Sequence, residues 1–158
     1  MKAAVFSQLL PQRFDNTYRG TRLALWLFGL FLLMKIAMSL NCILNGYSVA
    51  TTADGIPLDT FTPAGVQAVL YLFAAWALAH LMISLLGIVV LVRYRSMIPL
   101  MFALLLLELL SRKLMSLFLP VVRVGTPPGY FVNLFLLTLM FVGLVLSLWN
   151  RGDRQVQE

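Results

Sequence analysis

Apolar residues run along this chain in four long blocks, Leu23 to Leu44, Val66 to Val92, Met97 to Leu119 and Tyr130 to Trp149. Polar, proline and glycine residues collect between them. Each block is long enough for the roughly 20 residues with which an α-helix crosses the hydrocarbon core. Hydrocarbon offers no partner to a free backbone N–H or C=O, so runs of this length must be helices and not open strands. The pattern predicts an all-α membrane protein forming a single domain over residues 1–158. Its four transmembrane helices form an antiparallel four-helix bundle, with spans at about 23–44, 66–92, 97–119 and 130–149 and an external loop over 45–65.

The breaks carry start and stop signals. Thr62-Pro63 and Thr126-Pro127-Pro128 put a capping hydroxyl ahead of a proline that the first helical turn tolerates. Asn45-Gly46 closes the first block, and Arg93-Tyr94-Arg95 closes the second with a turn so short that helices two and three should be antiparallel neighbours. The stretch from Met1 to Thr21 has too few apolar residues to span. Val5, Phe6, Leu9, Leu10, Phe14 and Tyr18 beside Lys2, Arg13 and Arg19 predict an interfacial N-terminal helix at headgroup level. The first block begins only at Leu23 and lacks a small-x-small cleavage site, so it is expected to be retained and not removed as a signal peptide.

Composition sharpens this reading. Apolar residues make up 61% and charged residues 11%, against roughly a quarter charged in a soluble domain, which excludes an ordinary soluble protein. One Cys and one His exclude an internal disulfide, a thiol relay and a haem held by two histidines of the chain. Of the nine Lys and Arg residues outside the blocks, eight fall on one side and only Arg123 on the other. Positive charge is retained on the cytoplasmic face, so both termini are expected to be cytoplasmic, in a membrane of the bacterial inner type. The net charge of +6 then signals topology and contact with the lipid bilayer surface. No basic stripe with interleaved aromatics points to nucleic acid.

Ionisable groups inside spans are costly and mark candidate sites. Counting 1.5 Å per residue, Lys35, His80, Glu108 and Thr138 fall about 17 to 18 Å from the cytoplasmic ends, in one layer, with Arg112 and Asn133 at about 22 to 24 Å. The candidate intramembrane polar site is therefore Lys35, His80, Glu108, Arg112 and Asn133. Glu108, Ser111 and Arg112 share a helix face at i, i+3 and i+4, where carboxylate and guanidinium can pair. Three readings stay open for Glu108: an internal ion pair, a proton-titrating carboxylate in a cavity, or a contact with lipid or a partner helix. Lys35 lies too deep to snorkel and is expected to meet Glu108, with Ser39 and Cys42 extending its polar stripe inward. Lys113, nearer its helix end, can snorkel.

His80, Ser84 and Gly87 form a second stripe, and Ala75-xxx-Ala79 and Gly143-xxx-Ser147 are small-residue faces for close helix approach. Asp54 and Asp59 lack the dense acidic spacing of a calcium loop and read as solvated turn residues. Trp26, Trp76 and Trp149 read as ordinary membrane aromatics. No span contains Asp, and no phosphate loop or HExxH motif is present, so no catalytic residue and no metal ligand is assigned.

Arg22, the Leu-rich Leu25 to Gly29, Phe31-Leu32-Leu33 and Lys35-Ile36, then an external loop and three more blocks with a basic turn after the second, resemble the DoxX-like group of small bacterial four-helix membrane proteins. The resemblance implies an inner-membrane protein associated with quinone-linked redox chemistry. The cluster Glu108-Leu109-Leu110-Ser111-Arg112-Lys113 departs from that group, so no functional residue is carried over.

Two function classes remain, and the small extramembrane mass and lack of a catalytic constellation favour the first. One is a non-enzymatic subunit or assembly partner of a membrane complex, homo- or hetero-oligomeric, without a cofactor. The other is a small transporter or a proton- or quinone-handling protein using Lys35, His80, Glu108 and Arg112, with quinone or bound lipid as its ligand. The spans hold Lys35, Arg112 and Lys113 against Glu108, an excess that would favour an anionic ligand or lipid headgroup if the charges face a cavity.

Overall fold

The computed structural model describes residue 9 and residues 15–149, so most of the expected N-terminal interfacial helix, and Arg151 and Arg154, lie outside the described residues. Among those described, every regular element is helical. Four long helices carry the fold: α1 (Arg22–Leu44), α2 (Pro63–Arg93), α3 (Ile98–Phe118) and α4 (Pro128–Leu148). α1, α2 and α4 are long and apolar enough to cross a membrane. α3, with 21 residues, matches α4 in length, but Glu108, Arg112 and Lys113 set its composition apart.

Local chemistry explains most boundaries. Thr21 caps α1, its hydroxyl accepting from the Ala24 N–H at 3.4 Å, and Thr62 caps α2 by accepting from Gly65 N–H at 3.2 Å, ahead of Pro63. Thr126 does not cap α4. That helix starts at Pro128 with Pro127 as the flanking residue and no side-chain cap, because two consecutive prolines fix the entry by themselves. Asn45-Gly46 bends the chain without ending helical structure: a short turn, Gly46–Ser48, and a π-helical turn, Val49–Ala53, follow at once. The expected loop is thus partly helical, and its Asp54-Gly55 turn forms as the dipeptide predicts, with Gly55 at φ +69°.

The helices run alternately up and down. Along α1 and α2, Gly29 lies against Leu91, Leu32 against Gly87 and Cys42 against the Phe73 carbonyl. A Cβ on Gly87 would sit 2.5 Å from the Leu32 side chain, and one on Gly143 of α4 would overlap the ring of Phe102 of α3. Close approach therefore depends on these two glycines. Ala75 and Ala79, the expected small-residue face of α2, are exposed instead, whereas the Gly143 and Ser147 face is buried as expected.

α1 packs along α2 and α4, and α3 packs along α4. α2 and α3, although joined by the shortest connection, do not pack closely along their lengths. The expected neighbour pair is an open seam, because α1 occupies the close-packing face of α2 and α4 that of α3. The core fills the end near the α2–α3 turn, where Ala24, Phe28 and Leu32 meet Val90, Phe102 and Met140. Phe28 and Phe102 meet edge to face with centroids 5.0 Å apart, an arrangement worth about 1 kcal/mol beyond area burial.

The helix ends at the core side are tied together over long sequence distances. Thr21 donates both its N–H, at 3.2 Å, and its hydroxyl, at 3.1 Å, to the Leu146 carbonyl. Ser96 in the α2–α3 turn holds Asp15 from both sides, accepting from its N–H at 3.1 Å and donating its hydroxyl to its carbonyl at 2.9 Å. Between these ties the Tyr18 hydroxyl is buried, which raises its pKa. At the opposite end Val124 N–H donates to Gly55 O at 2.8 Å, joining the segment after α1 to the segment before α4.

Candidate functional site

The seam between α2 and α3 is stitched by polar side chains. His80 sits on the inner stripe of α2 with Ala77, Ser84, Gly87 and Val90, a spacing that keeps all five on one helical face. Its Nδ1 lies 3.0 Å from the Trp76 carbonyl, and Ser84 donates to the His80 carbonyl at 2.7 Å. Its Nε2 reaches across the seam to Glu108 Oε1 at 3.2 Å. One turn further along α3, Arg112 Nε ion-pairs with the same oxygen at 3.3 Å. Its guanidinium carbon lies 5.1 Å from the Trp76 ring centroid, within cation–π range. Trp76 also meets the His80 ring at a tilt of 60°, with a centroid separation of 4.5 Å.

This geometry fixes a proton count. The Trp76 carbonyl can only accept, so His80 Nδ1 carries a hydrogen. Nε2 and Oε1 can then bond only with one further proton between them, on the imidazole or on the carboxyl. Glu108 Oε2 is buried and has no partner among the described residues.

Of the five residues in the predicted polar site, His80, Glu108 and Arg112 meet. Lys35 is buried, only 5% exposed, with Ser39 and Cys42 on the same face of α1, as expected. Its expected pairing with Glu108 is not made: among the described residues, no ion pair or hydrogen bond reaches the Lys35 ammonium. The reason is packing. α1 lies along α2 and α4, the register sets Lys35 level with Ser84, and the near oxygen of Glu108 is taken by His80 and Arg112. Thr138 faces away from the polar site, being exposed and hydrogen-bonded to the Leu134 carbonyl at 3.0 Å.

Asn133 and Arg112 line a cavity of about 460 Å³ that occupies the seam at the end away from the core. Its walls are Leu72, Phe73 and Trp76 of α2, Leu109 of α3, and Leu134 and Leu137 of α4. Its charges are Arg112 and Lys113 from α3, Arg123 from the α3–α4 segment, and Asp54. Asp54 is half-buried, correcting its reading as a solvated turn residue, whereas Asp59 is exposed as expected. Burial raises the Asp54 pKa, and the nearby Arg123 and Arg112 oppose that rise. Lys113 is exposed at the cavity rim, in agreement with a side chain that reaches outward.

Asp54, Arg123, Tyr130 and Trp76 are site residues that sequence reasoning left out. A usable signal was present for two of them: Asp54 and Arg123 are, with Asp59, the only charged residues in segments 45–65 and 119–129, which a four-helix order brings to one end. Among the described residues no group of three or more His, Cys, Asp or Glu side chains gathers as a metal site. No protein-family model, curated protein or solved structure matches the chain.

Proposed function

We propose that the chain is an integral membrane protein of four crossings, α3 being the fourth, that works by holding a small ligand in the seam cavity, as a small transporter or a proton- or quinone-handling protein does. The cavity itself carries this reading. Its volume falls within the range of roughly 300 to 1,000 Å³ of small-molecule sites, and its apolar walls converge on a few charged and polar groups, as such sites do. The length of α3, about 31 Å at 1.5 Å per residue, and the engagement of Glu108 and Arg112 with α2 support the fourth crossing. The excess of Lys and Arg on one side supports cytoplasmic termini in a membrane of the bacterial inner type. Kinship with the DoxX-like group belongs to the same proposal.

A second reading, a structural subunit in a homo- or hetero-oligomeric complex, is favoured by one observation: Glu108 Oε1 already holds two partners, as a purely structural ion pair would. Native purification in mild detergent followed by mass spectrometry separates the two. The ligand reading expects a bound small molecule that disappears in Leu134→Trp, which fills the cavity. The subunit reading expects a stoichiometric protein partner indifferent to that substitution and no small molecule.

A further inference from the structure

We infer that the seam cavity takes a single-headed anionic amphiphile, an alkyl phosphate or alkyl carboxylate, with its head against Arg112, Lys113 and Arg123 and its chain along Leu72, Phe73 and Leu134. This rests on the ligand-holding reading above and adds the chemical class. Three cations face one carboxylate in a space otherwise walled by hydrocarbon. Arg112 is the anchor: its Nε is engaged by Glu108 and its guanidinium carbon lies over the Trp76 ring, so the guanidinium is held before any ligand arrives. Its terminal nitrogens donate to nothing among the described residues and can bind an oxyanion in a fork. Lys113 and Arg123 are exposed, and Asn133 and Tyr130 add neutral hydrogen-bonding groups at the same end.

Competing ligand chemistries fit less well. A cation would meet three like charges. An inorganic anion would leave the walls formed by Leu72, Phe73, Leu134 and Leu137 wet, and a neutral hydrocarbon would bring the cations no partner. Only a molecule with both parts answers both the cations and the apolar walls.

The test uses the full chain in a neutral maltoside detergent, with binding read by calorimetry. The probes are dodecyl phosphate, dodecanoate, dodecanol, dodecyltrimethylammonium and inorganic phosphate. Dodecyl phosphate and dodecanoate are expected to bind, dodecyltrimethylammonium is not, and inorganic phosphate should bind roughly a hundredfold more weakly, for want of the buried chain. Lys113→Gln and Arg123→Gln, both at exposed positions, should each weaken dodecyl phosphate roughly tenfold while leaving dodecanol and the helical circular dichroism unchanged. Equal binding of dodecanol and dodecyl phosphate, insensitive to those substitutions, overturns the anionic head and leaves the cavity reading standing. Inorganic phosphate binding as tightly as dodecyl phosphate overturns the amphiphile. Binding of no dodecyl probe at all, or binding unchanged in Leu134→Trp, removes the cavity reading itself.

Discussion

His80 on α2 and Glu108 on α3 are joined by a 3.2 Å hydrogen bond across a seam in which their two helices do not otherwise pack closely. The bond needs one proton between Nε2 and Oε1, and the Trp76 carbonyl fixes which imidazole nitrogen supplies the other hydrogen bond. His80 thus works as a cross-link set in place by its own helix.

The energies of the two ends of this cross-link are non-additive. A double-mutant cycle of Glu108→Gln with His80→Gln should give a coupling of about 1 kcal/mol, within the range of contacting polar pairs. The cycle of Glu108→Gln with Lys35→Met should give clearly less, since the ammonium lies outside ion-pair distance of the carboxylate. Thermal unfolding of detergent-solubilised protein measures both. A larger coupling for Lys35 would restore the pair expected from sequence.

Lys35 itself is a buried cation with no partner among the described residues. Replacing it with an apolar side chain of similar length removes a desolvated charge without orphaning another group. Lys35→Met should therefore raise the melting temperature or leave it unchanged. A marked fall would show that the ammonium is held by something other than the protein groups around it.

Gly143 faces the Phe102 ring with no room for a Cβ. Gly143→Val should cost about 1 to 3 kcal/mol, the usual range for overpacking a filled core. The double change Gly143→Val with Phe102→Leu should recover part of that loss. No recovery would place the strain elsewhere along α4.

Asp54 gives anion binding a pH dependence with a defined sign. Its ionised carboxylate opposes an anionic ligand, and its raised pKa means that the proton arrives at a higher pH than for an ordinary Asp near ~4. Binding of decanesulfonate, whose own charge is constant over this range, should tighten as pH falls through the Asp54 titration. The complex should take up protons as it forms. Asp54→Asn should bind more tightly at neutral pH and lose this dependence, while an unchanged pH profile would exclude Asp54 from the charge balance of the cavity.

The helices were readable because burial in this chain follows the helical period. On α1 the buried positions Ala24, Phe28, Phe31, Leu32, Lys35, Ser39 and Cys42 form a single stripe, so the polar members could be assigned inward before any neighbour was known. A stripe tells which face is covered but not which helix covers it. The sequence therefore places Lys35 inside correctly but gives it the wrong partner, and the short turn at Tyr94 makes α2 and α3 antiparallel neighbours without telling that a seam parts them. Trp76 and Asp54 read from the sequence as an ordinary aromatic and a turn residue for a related reason. Each is unremarkable on its own element, and each becomes part of a site only through Arg112 and Arg123, residues distant in sequence.

The two hydrogen bonds from Thr21 to the Leu146 carbonyl bear on how the protein is made. Thr21 precedes the first long helix, and its acceptor lies near the end of the last, 125 residues later. During synthesis the start of α1 must wait without this acceptor until α4 has been made. This tie consequently forms only after all four long helices exist, and a chain ending just before Leu146 would keep α1, α2, α3 and most of α4 while leaving their common end unfastened.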